Sequence, residues 1–328
     1  MSSYSSKKAY LVGKLETTAG TAETLADADF DTRVSDIEVS PEWMTSEYAF
    51  ANGGYNASAG TAGTASIGFT FNSLLCPSGT PATVEPNNWK FAKACGWSGV
   101  TYGTTGVALQ DLPSADQKTM TIEKIDVERG ATPTGIADQG AGCYGNMVLS
   151  AEVGSPITMG FTFNGKHTEN ATVSNANLYA LTAADTSVAP SFKGVTATLG
   201  GTAICVKSIQ LDLGIASSPE LCASDATGIL TYKKDTQTTN HTISFLMPTL
   251  ATYDPYSKWS SETAEELVIV DGDFTITIPQ LQLTAAPKAD GSGSVVYNGT
   301  FKALRNGGAN ANLDDEASIE ILQGARTA

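Results

Sequence analysis

Few of the side chains that carry nucleophilic or metal-assisted catalysis occur in this chain. Its 328 residues include only two histidines, His167 and His241. The sequence has no Gly-x-Ser-x-Gly motif, and no glycine-rich loop ends in Gly-Lys-Ser/Thr. The nucleophile motif of many hydrolases and the phosphate-binding loop are therefore both missing. The sequence assigns no catalytic, cofactor-binding or metal-binding residue, and it favours a protein that is not an enzyme.

Basic residues are scarce as well. The chain has 19 Lys and Arg residues against 34 Asp and Glu residues, a net charge of -15. The excess is shared evenly, at -8 through Thr182 and -7 after it. Tight binding to nucleic acid needs Lys and Arg side chains that replace the counterions of the phosphates. We therefore expect DNA to pass this protein without being held.

The chain also lacks long apolar runs and paired cysteines. No stretch approaches the ~20 apolar residues of a membrane-spanning helix, and the first ten residues are polar and basic. The five cysteines form no Cys-x-x-Cys pair and have no histidine at ligand spacing. These features predict no membrane association, no zinc site and reduced thiols made in a cytoplasm.

Alternation of apolar and polar residues dominates what is present. This period-2 pattern is typical of antiparallel strands with one buried face. It predicts an all-β fold, a β-sandwich or half-barrel, with strands at residues 66–71, 119–127, 146–151, 157–163, 195–199, 204–213, 242–246, 267–278 and 294–301.

Only two segments have a helical pattern. Asn88 is a candidate N-cap for a short helix that carries Trp89, Ala92 and Cys95 on one face and stops at Gly96. A second turn of helix is predicted at 261–267. The segments 53–64 and 129–145 are rich in small and polar residues and are predicted to be loops.

The order of strand motifs occurs twice along the chain. The sequence predicts four equivalent strand pairs, whose members lie 172, 176, 154 and 138 residues apart, so the insertions differ while the order is kept. These are Val34–Val39 with Val206–Leu211, Ile67–Phe69 with Ile243–Phe245, Met120–Ile122 with Phe274–Ile276, and Gly160–Phe163 with Gly299–Phe301. The pattern favours two tandem β domains, 1–182 and 183–328, with a boundary within 175–191. A chain built twice from one β unit is typical of proteins that assemble.

One acidic segment has the spacing of a calcium loop. Asp27, Asp29, Asp31 and Glu38 fall at positions 1, 3, 5 and 12 of an EF-hand pattern. The position that needs glycine is Thr32, and a strand pattern follows where the EF-hand has a helix. A solvated acidic loop is the favoured interpretation, and calcium binding stays open. Paired carboxylates of a glycosidase also stay open, although an aromatic content of 8% leaves little for stacking on sugars.

Short motifs spread over nearly the whole chain resemble one known family, the major tail tube proteins of long-tailed (siphovirus-like) bacteriophages. The resemblance lies in the order and texture of these motifs. They are Val12–Ala22, the helix segment Trp89–Trp97, the strands Gly145–Leu149 and Phe161–Gly165, and the segments Phe192–Gly201, Ser208–Gly214 and Ala303–Asn306.

The resemblance implies a structural virion protein with two tail-tube-type β domains. It implies self-association into rings, with a trimer favoured by the duplication and a hexamer open, and rings that stack into a tube with an acidic lumen for double-stranded DNA. Tape measure, tail-terminator or baseplate proteins are the implied partners, the virion tail is the implied location, and the host bacterial cytoplasm is the implied place of synthesis. The alternatives are another self-assembling β protein, for surfaces, capsid decoration or attachment, and a carbohydrate-active β-sandwich enzyme.

Overall fold

The chain is nearly all β, which confirms the predicted fold class. The computed structural model describes residues 4–26, 29–31, 33–46, 61–76, 86, 88–102, 106–111, 118–128, 135–168, 171–173, 189–246, 248–271, 274–290, 293–304 and 318–322. Every strand pairing is antiparallel, and the two helices are short. Within the described ranges, neither helix has the length or apolar character that crossing a bilayer requires.

The first half of the chain contributes one helix and the strands β1 to β10. These elements are β1 (Tyr4–Leu15), β2 (Phe30–Asp31), β3 (Val34–Ser46), β4 (Thr61–Leu74), α1 (Trp89–Lys93), β5 (Trp97–Tyr102), β6 (Gly106–Asp111), β7 (Met120–Glu128), β8 (Gly135–Glu152), β9 (Thr158–His167) and β10 (Ala171–Val173). Hydrogen bonding places them in the order β3-β4-β9-β8-β7-β1-β2, and β10 also pairs with β8.

The second half contributes the other helix and the strands β11 to β21. These elements are β11 (Thr196–Leu199), β12 (Thr202–Ile204), β13 (Val206–Asp212), β14 (Ile215–Leu221), β15 (Ile229–Gln237), β16 (His241–Leu246), α2 (Pro255–Ser260), β17 (Ala264–Val270), β18 (Phe274–Ala285), β19 (Lys288–Asp290), β20 (Val295–Ala303) and β21 (Ser318–Leu322). Their order is β13-β16-β20-β18-β17-β11-β12, and β21 also pairs with β18.

The two orders are the same, strand for strand, and the hydrogen-bond register is also repeated. Glu38 lies opposite Thr70 in the first half, and Gln210 lies opposite Thr242 in the second. Gln210 lies 172 positions after Glu38, and Thr242 lies 172 positions after Thr70. A register shift in β3 next to Val34 and Ser35 recurs in β13 next to Val206. The duplication that the sequence predicts is therefore present in the topology.

The second predicted pair, Ile67–Phe69 with Ile243–Phe245, is wrong in register. Phe69 lies opposite Phe163, and the residue opposite Phe301 is His241, so the counterpart of Phe69 is His241 and not Phe245. A shift by an even number of residues keeps every side chain on the same face of the sheet, so an Ile-x-Phe motif fits either register.

The third predicted pair joins strands with different neighbours. Met120–Ile122 lie in β7, which pairs with β1 and β8, whereas Phe274–Ile276 lie in β18, which pairs with β17. The counterpart of β7 is β17. The boundary range 175–191 lies mostly outside the described residues, so the division into 1–182 and 183–328 stays a prediction.

The first predicted helix is confirmed, but its cap is not. α1 begins at Trp89 and ends before Gly96, whose φ of 83° suits glycine. The Asn88 side chain makes no cap hydrogen bond and instead donates to the carbonyl oxygen of Leu74 at 2.6 Å. This bond anchors the helix to the end of β4.

The second predicted helix, at 261–267, is wrong. α2 begins six residues earlier, at Pro255, where the Asp254 carboxylate accepts hydrogen bonds from the main-chain N–H groups of Tyr256 and Ser257. Pro255 occupies the first turn, where its missing N–H costs nothing. Asp followed by Pro was the start signal that the sequence reasoning missed.

Three other predictions need correction. The single strand predicted at 267–278 is two strands, β17 and β18, in which Leu267 lies opposite Ile278. The alternation continues across the Asp271-Gly272 turn signal, which hides the break. Residues 61–64 and 135–145, predicted to be loops, belong to β4 and β8. The remainder of those loops lies outside the described residues.

Candidate assembly interface

The sheets of the two halves are joined by hydrogen bonds between β8 and β13. Leu149 lies opposite Leu211, and Ala151 lies opposite Ile209. Just beyond them, the N–H of Val153 donates to the carbonyl oxygen of Lys207 at 3.0 Å. The core layer of the second half therefore continues through β13 into the core of the first half.

A hairpin of the second half covers the first half. This β14–β15 arm, residues 215–237, pairs only with itself among the described strands. The Asn146 amide of β8 holds its base, donating to Asp212 Oδ1 at 2.8 Å and accepting from the N–H of Ile215 at 3.2 Å. A side chain of the first half thus fixes where the arm begins.

The tip of the arm is fixed by an ion pair. Lys166 of β9 lies 3.0 Å from an Asp225 carboxylate oxygen, and both side chains are mostly covered. The hydroxyl and N–H of Thr227 donate to the same carboxylate, and together with Lys166 they hold the pKa of Asp225 down at about 2. The N–H of Ala65 in β4 donates to the carbonyl oxygen of Thr227 at 3.2 Å.

A buried carboxylate shapes the surface on which the arm lies. Glu16, directly after β1, accepts hydrogen bonds from the N–H groups of Gly20 and Gly142 at 2.7 Å each. It also accepts from the hydroxyls of Thr119 at 2.7 Å and Thr121 at 3.0 Å. Four donors satisfy this carboxylate, so it needs no cation to be buried. Sequence reasoning did not identify Glu16, because an isolated glutamate has no distinguishing pattern.

The two glycines bound by Glu16 touch the arm directly. A Cβ on Gly20 would lie 2.0 Å from the carbonyl oxygen of Leu230, and a Cβ on Gly142 would lie 3.0 Å from Thr231 Oγ1. Any side chain at Gly20 would therefore push β15 away from the first half.

A third link joins the halves through β21. This strand pairs with β18 of the second half and with β6 of the first half, where Ile319 lies opposite Leu109. The hairpin of β5 and β6 therefore extends the second-half sheet. Together, the three links make the two halves one continuous β structure.

The strand of the first half that corresponds to β13 is β3, and its outer edge has no partner strand within the described residues. Its core-facing side chains, here called the β3 row, remain partly or fully exposed, and Trp43 is 53% exposed. The counterparts in the second half are only 2–7% exposed, because β8 and the first half cover them. The four pairs are Ile37 with Ile209, Val39 with Leu211, Pro41 with Leu213, and Trp43 with Ile215.

The end of β8 also has a counterpart with an open edge. In β8, Leu149 lies between Met159 of β9 and Leu211 of β13. In β19, Lys288 lies opposite Tyr297 of β20, and the other edge of β19 has no partner strand in the part of the chain described. The Lys288 ammonium lies 5.3 Å from the ring centre of Tyr256 and 5.9 Å from that of Tyr297.

The EF-hand pattern lies only partly within the described residues, and the described members belong to different segments. Asp27 lies outside the described residues, Asp31 is in β2 and Glu38 is in β3. The Asp29 carboxylate accepts a hydrogen bond from the N–H of Ala26 at 2.9 Å. Within the described ranges, no three His, Cys, Asp or Glu side chains are placed to hold a metal ion.

The two histidines lie in different halves, on β9 and β16. His241 is completely buried, its Nδ1 accepts from the N–H of Asp212 at 3.1 Å, and burial lowers its pKa to about 4. His167 is also buried and packs edge-on against Trp43. None of the five cysteines forms a disulfide, and burial raises the pKa of Cys95 and Cys143.

Comparison with known proteins places the chain in no family. No family model matches it, and neither does any curated protein. The function is therefore argued from the geometry of the interface together with the sequence.

Proposed function

We propose that this protein is a structural subunit that assembles into rings, and that the stacked rings form the tail tube of a long-tailed (siphovirus-like) bacteriophage. The observation that carries the proposal is the duplicated sheet. One junction between duplicated units is made within the chain by β8 and β13, while the corresponding strand of the first half, β3, has one edge without a partner strand among the described residues.

A junction of this kind joins two different surfaces. If the same junction forms between molecules, each molecule uses one surface for the preceding copy and the other for the next. Head-to-tail contacts form a closed ring when the rotation between units closes and a helical filament when it does not. Closure also removes the open strand edges, which are otherwise sites of uncontrolled aggregation. The resemblance to tail tube proteins implies a ring of six units. Three chains with two units each supply six, so a trimer with pseudo-sixfold symmetry is the favoured ring.

The charge of the chain suits a channel for DNA. Both halves are acidic, with a total of -15, so a lumen lined by such a surface repels the phosphates of double-stranded DNA. Passage of the genome needs contacts that do not hold it. In this role the partners are further copies of the chain, a tape measure protein, and tail-terminator or baseplate proteins.

The proposal is tested by electron microscopy of the purified protein over a range of concentrations. Rings or tubes with a central channel are the expected result. Flat lattices or isolated spikes would instead favour a surface-layer, decoration or attachment protein. Hydrolysis of any member of a polysaccharide panel would favour the carbohydrate-active enzyme. A protein that stays monomeric throughout would contradict assembly.

A further inference from the structure

We propose that β3 of one copy pairs with β19 of the next, so that the second-half sheet of each chain continues into the first-half sheet of its neighbour. The inference rests on the self-assembly part of the proposed function and is independent of the phage assignment. It identifies the two strands and the register of the contact.

The register follows from the junction inside the chain. Met159 lies opposite Leu149, and its counterpart 138 positions later, Tyr297, lies opposite Lys288. Lys288 is therefore the counterpart of Leu149. The separation of this pair is 139 and not 138, because the β18–β20 register shifts by one residue between Leu283 and Ala285.

The partner position comes from the same junction. Leu149 lies opposite Leu211, whose counterpart 172 positions earlier is Val39. Val39 of one copy consequently lies opposite Lys288 of the other. The next such pair toward the C-terminal end of β19 is Ile37 with Asp290.

The main-chain groups of β19 face the right way for this pairing. The N–H of Asn298 donates to the carbonyl oxygen of Pro287 at 3.0 Å, so Pro287 faces β20. Backbone groups alternate along an antiparallel strand, and those of Lys288 and Asp290 therefore face outward. Pro287 has no N–H to donate. Because the backbone groups of residue 287 face β20, the outer edge of β19 has the same hydrogen-bonding groups as it would with any other residue there.

Burial favours the same contact. The β3 row stays partly or fully exposed in the single chain, whereas its four counterparts at positions 209–215 are only 2–7% exposed. A second copy that takes the place of β8 covers the row in the same way. Trp43, which is 53% exposed while it packs against His167, becomes the large apolar anchor of the contact, a role typical of tryptophan in interfaces.

The charges of β3 discourage pairing with other strands at random. β3 carries Asp36, Glu38 and Glu42 and no basic residue, and acidic residues along an open edge discourage unspecific strand pairing. β19 carries one lysine and one aspartate, Lys288 and Asp290, so it brings no net charge against the acidic edge.

The first test removes the contact from the β3 side. Trp43→Ser deletes the anchor, and Val39→Lys places a lysine opposite Lys288, where like charges repel. We expect each variant to need at least tenfold more protein than the unmodified chain to assemble, as measured by analytical ultracentrifugation. Val270→Ser is the control, because Val270 is 38% exposed on β17, which pairs with β11 and β18 and not with β3 or β19. Circular dichroism and melting curves check that all the variants fold.

The second test joins the two strands covalently. In this register Glu38 lies opposite Ala289, next to the pair Val39–Lys288. Glu38→Cys with Ala289→Cys therefore places two thiols at disulfide distance across the contact. The background carries Cys205→Ser and Cys222→Ser, since these two cysteines are not buried. Mild oxidation of the assembled protein is expected to give a ladder of covalent multimers, whereas either single cysteine gives no ladder.

The outcomes separate this contact from the proposed function. If the unmodified chain assembles while Trp43→Ser assembles equally well and no ladder forms, the contact is wrong and another surface builds the ring. If the unmodified chain never assembles, the proposed function fails together with the contact.

Discussion

A single buried carboxylate fixes the loop after the first strand. Glu16 accepts four hydrogen bonds, two from main-chain N–H groups and two from threonine hydroxyls. An oxygen that accepts two donors cannot be replaced by an amide NH2 group without leaving those donors unsatisfied. The contribution of Glu16 to folding is therefore specific to its charge state and shape.

Glu16→Gln is expected to lower the free energy of unfolding by about 1–3 kcal/mol, because buried donors lose their acceptor. Urea titration followed by fluorescence measures the change. Glu220→Gln is the control, since Glu220 is 44% exposed and its ion pair with Lys233 lies on the surface. Exposed pairs of this kind contribute about 1 kcal/mol or less. Equal losses for both variants would argue against a special role for Glu16.

A buried histidine makes stability depend on pH. Burial lowers the pKa of His241 to about 4, so the unfolded chain, with a pKa of about 6.5, binds this proton more readily than the folded chain. Above pH ~6.5 His241 is neutral in both states, and its protonation does not change the free energy of unfolding. As the pH falls from about 6.5 toward 4, the unfolded chain is protonated first, and the free energy of unfolding decreases. Between these values, one such proton changes the free energy of unfolding by about 1.4 kcal/mol per pH unit.

His241→Phe tests this dependence, and the fold itself suggests the substitution, because Phe69 occupies the equivalent position in β4. We expect the variant to be less stable at pH 7 by about 1 kcal/mol, since the N–H of Asp212 loses its acceptor. Its stability should fall less than that of the unmodified chain between pH 6.5 and 4. Parallel curves for the two proteins would show that His241 does not titrate as proposed.

At the scale of elements, β3 and β13 are the same strand in two surroundings. Both carry the same register shift and pair with equivalent strands, β4 and β16. Only β13 has β8 on its other side. The difference in burial between the two strands follows from that neighbour rather than from their residue types, which are apolar at the same positions.

The β14–β15 arm depends on close approach of two main chains at Gly20. Gly20→Ala is expected to cost several kcal/mol and to expose the arm to proteolysis, because the new Cβ would meet the Leu230 carbonyl oxygen. Gly201→Ala is the matched control. Gly201 has a φ of 75°, close to the 77° of Gly20, but nothing lies within 4 Å of its Cβ position. The control isolates the strain of the left-handed backbone, about 1 kcal/mol.

Limited proteolysis with mass spectrometry shows which segment is cut first, and chemical denaturation gives the two losses of stability. Equal effects of the two substitutions would mean that the contact between Gly20 and Leu230 contributes nothing beyond backbone strain.

The sequence predicted the class of fold, most strands and the duplication, because alternation reports directly which residues face a core. It could not fix the register of the second unit, since Phe245 and His241 lie on the same face of β16. It placed α2 six residues late, because the acidic residues 262, 265 and 266 were given more weight than the Asp254-Pro255 start.

The open edge of β3 was harder to predict. The residues of the β3 row alternate like those of any half-buried strand, and nothing local tells whether a strand lies at an edge. That information comes from long-range pairing, as does the role of Glu16, whose four donors lie as far as 126 residues away in the sequence.

For the whole molecule, the duplication gives one chain two consecutive units, which in the proposed function are neighbours in a ring. The junction inside the chain has a second link, the pairing of β21 with β6. This link depends on the β5–β6 hairpin of the first half. No equivalent hairpin lies between α2 and β17 in the described second half. Contacts between chains are therefore expected to open before contacts within a chain when rings are diluted.

The most direct measurement of the central claim is the number of chains in one ring, from native mass spectrometry combined with top views in the electron microscope. The account predicts particles of about 102 kDa, three times the 34.0 kDa of one chain, with six similar lobes around a central channel. Rings of six chains with twelve lobes would contradict the predicted symmetry, and a protein that forms no rings would contradict the account as a whole.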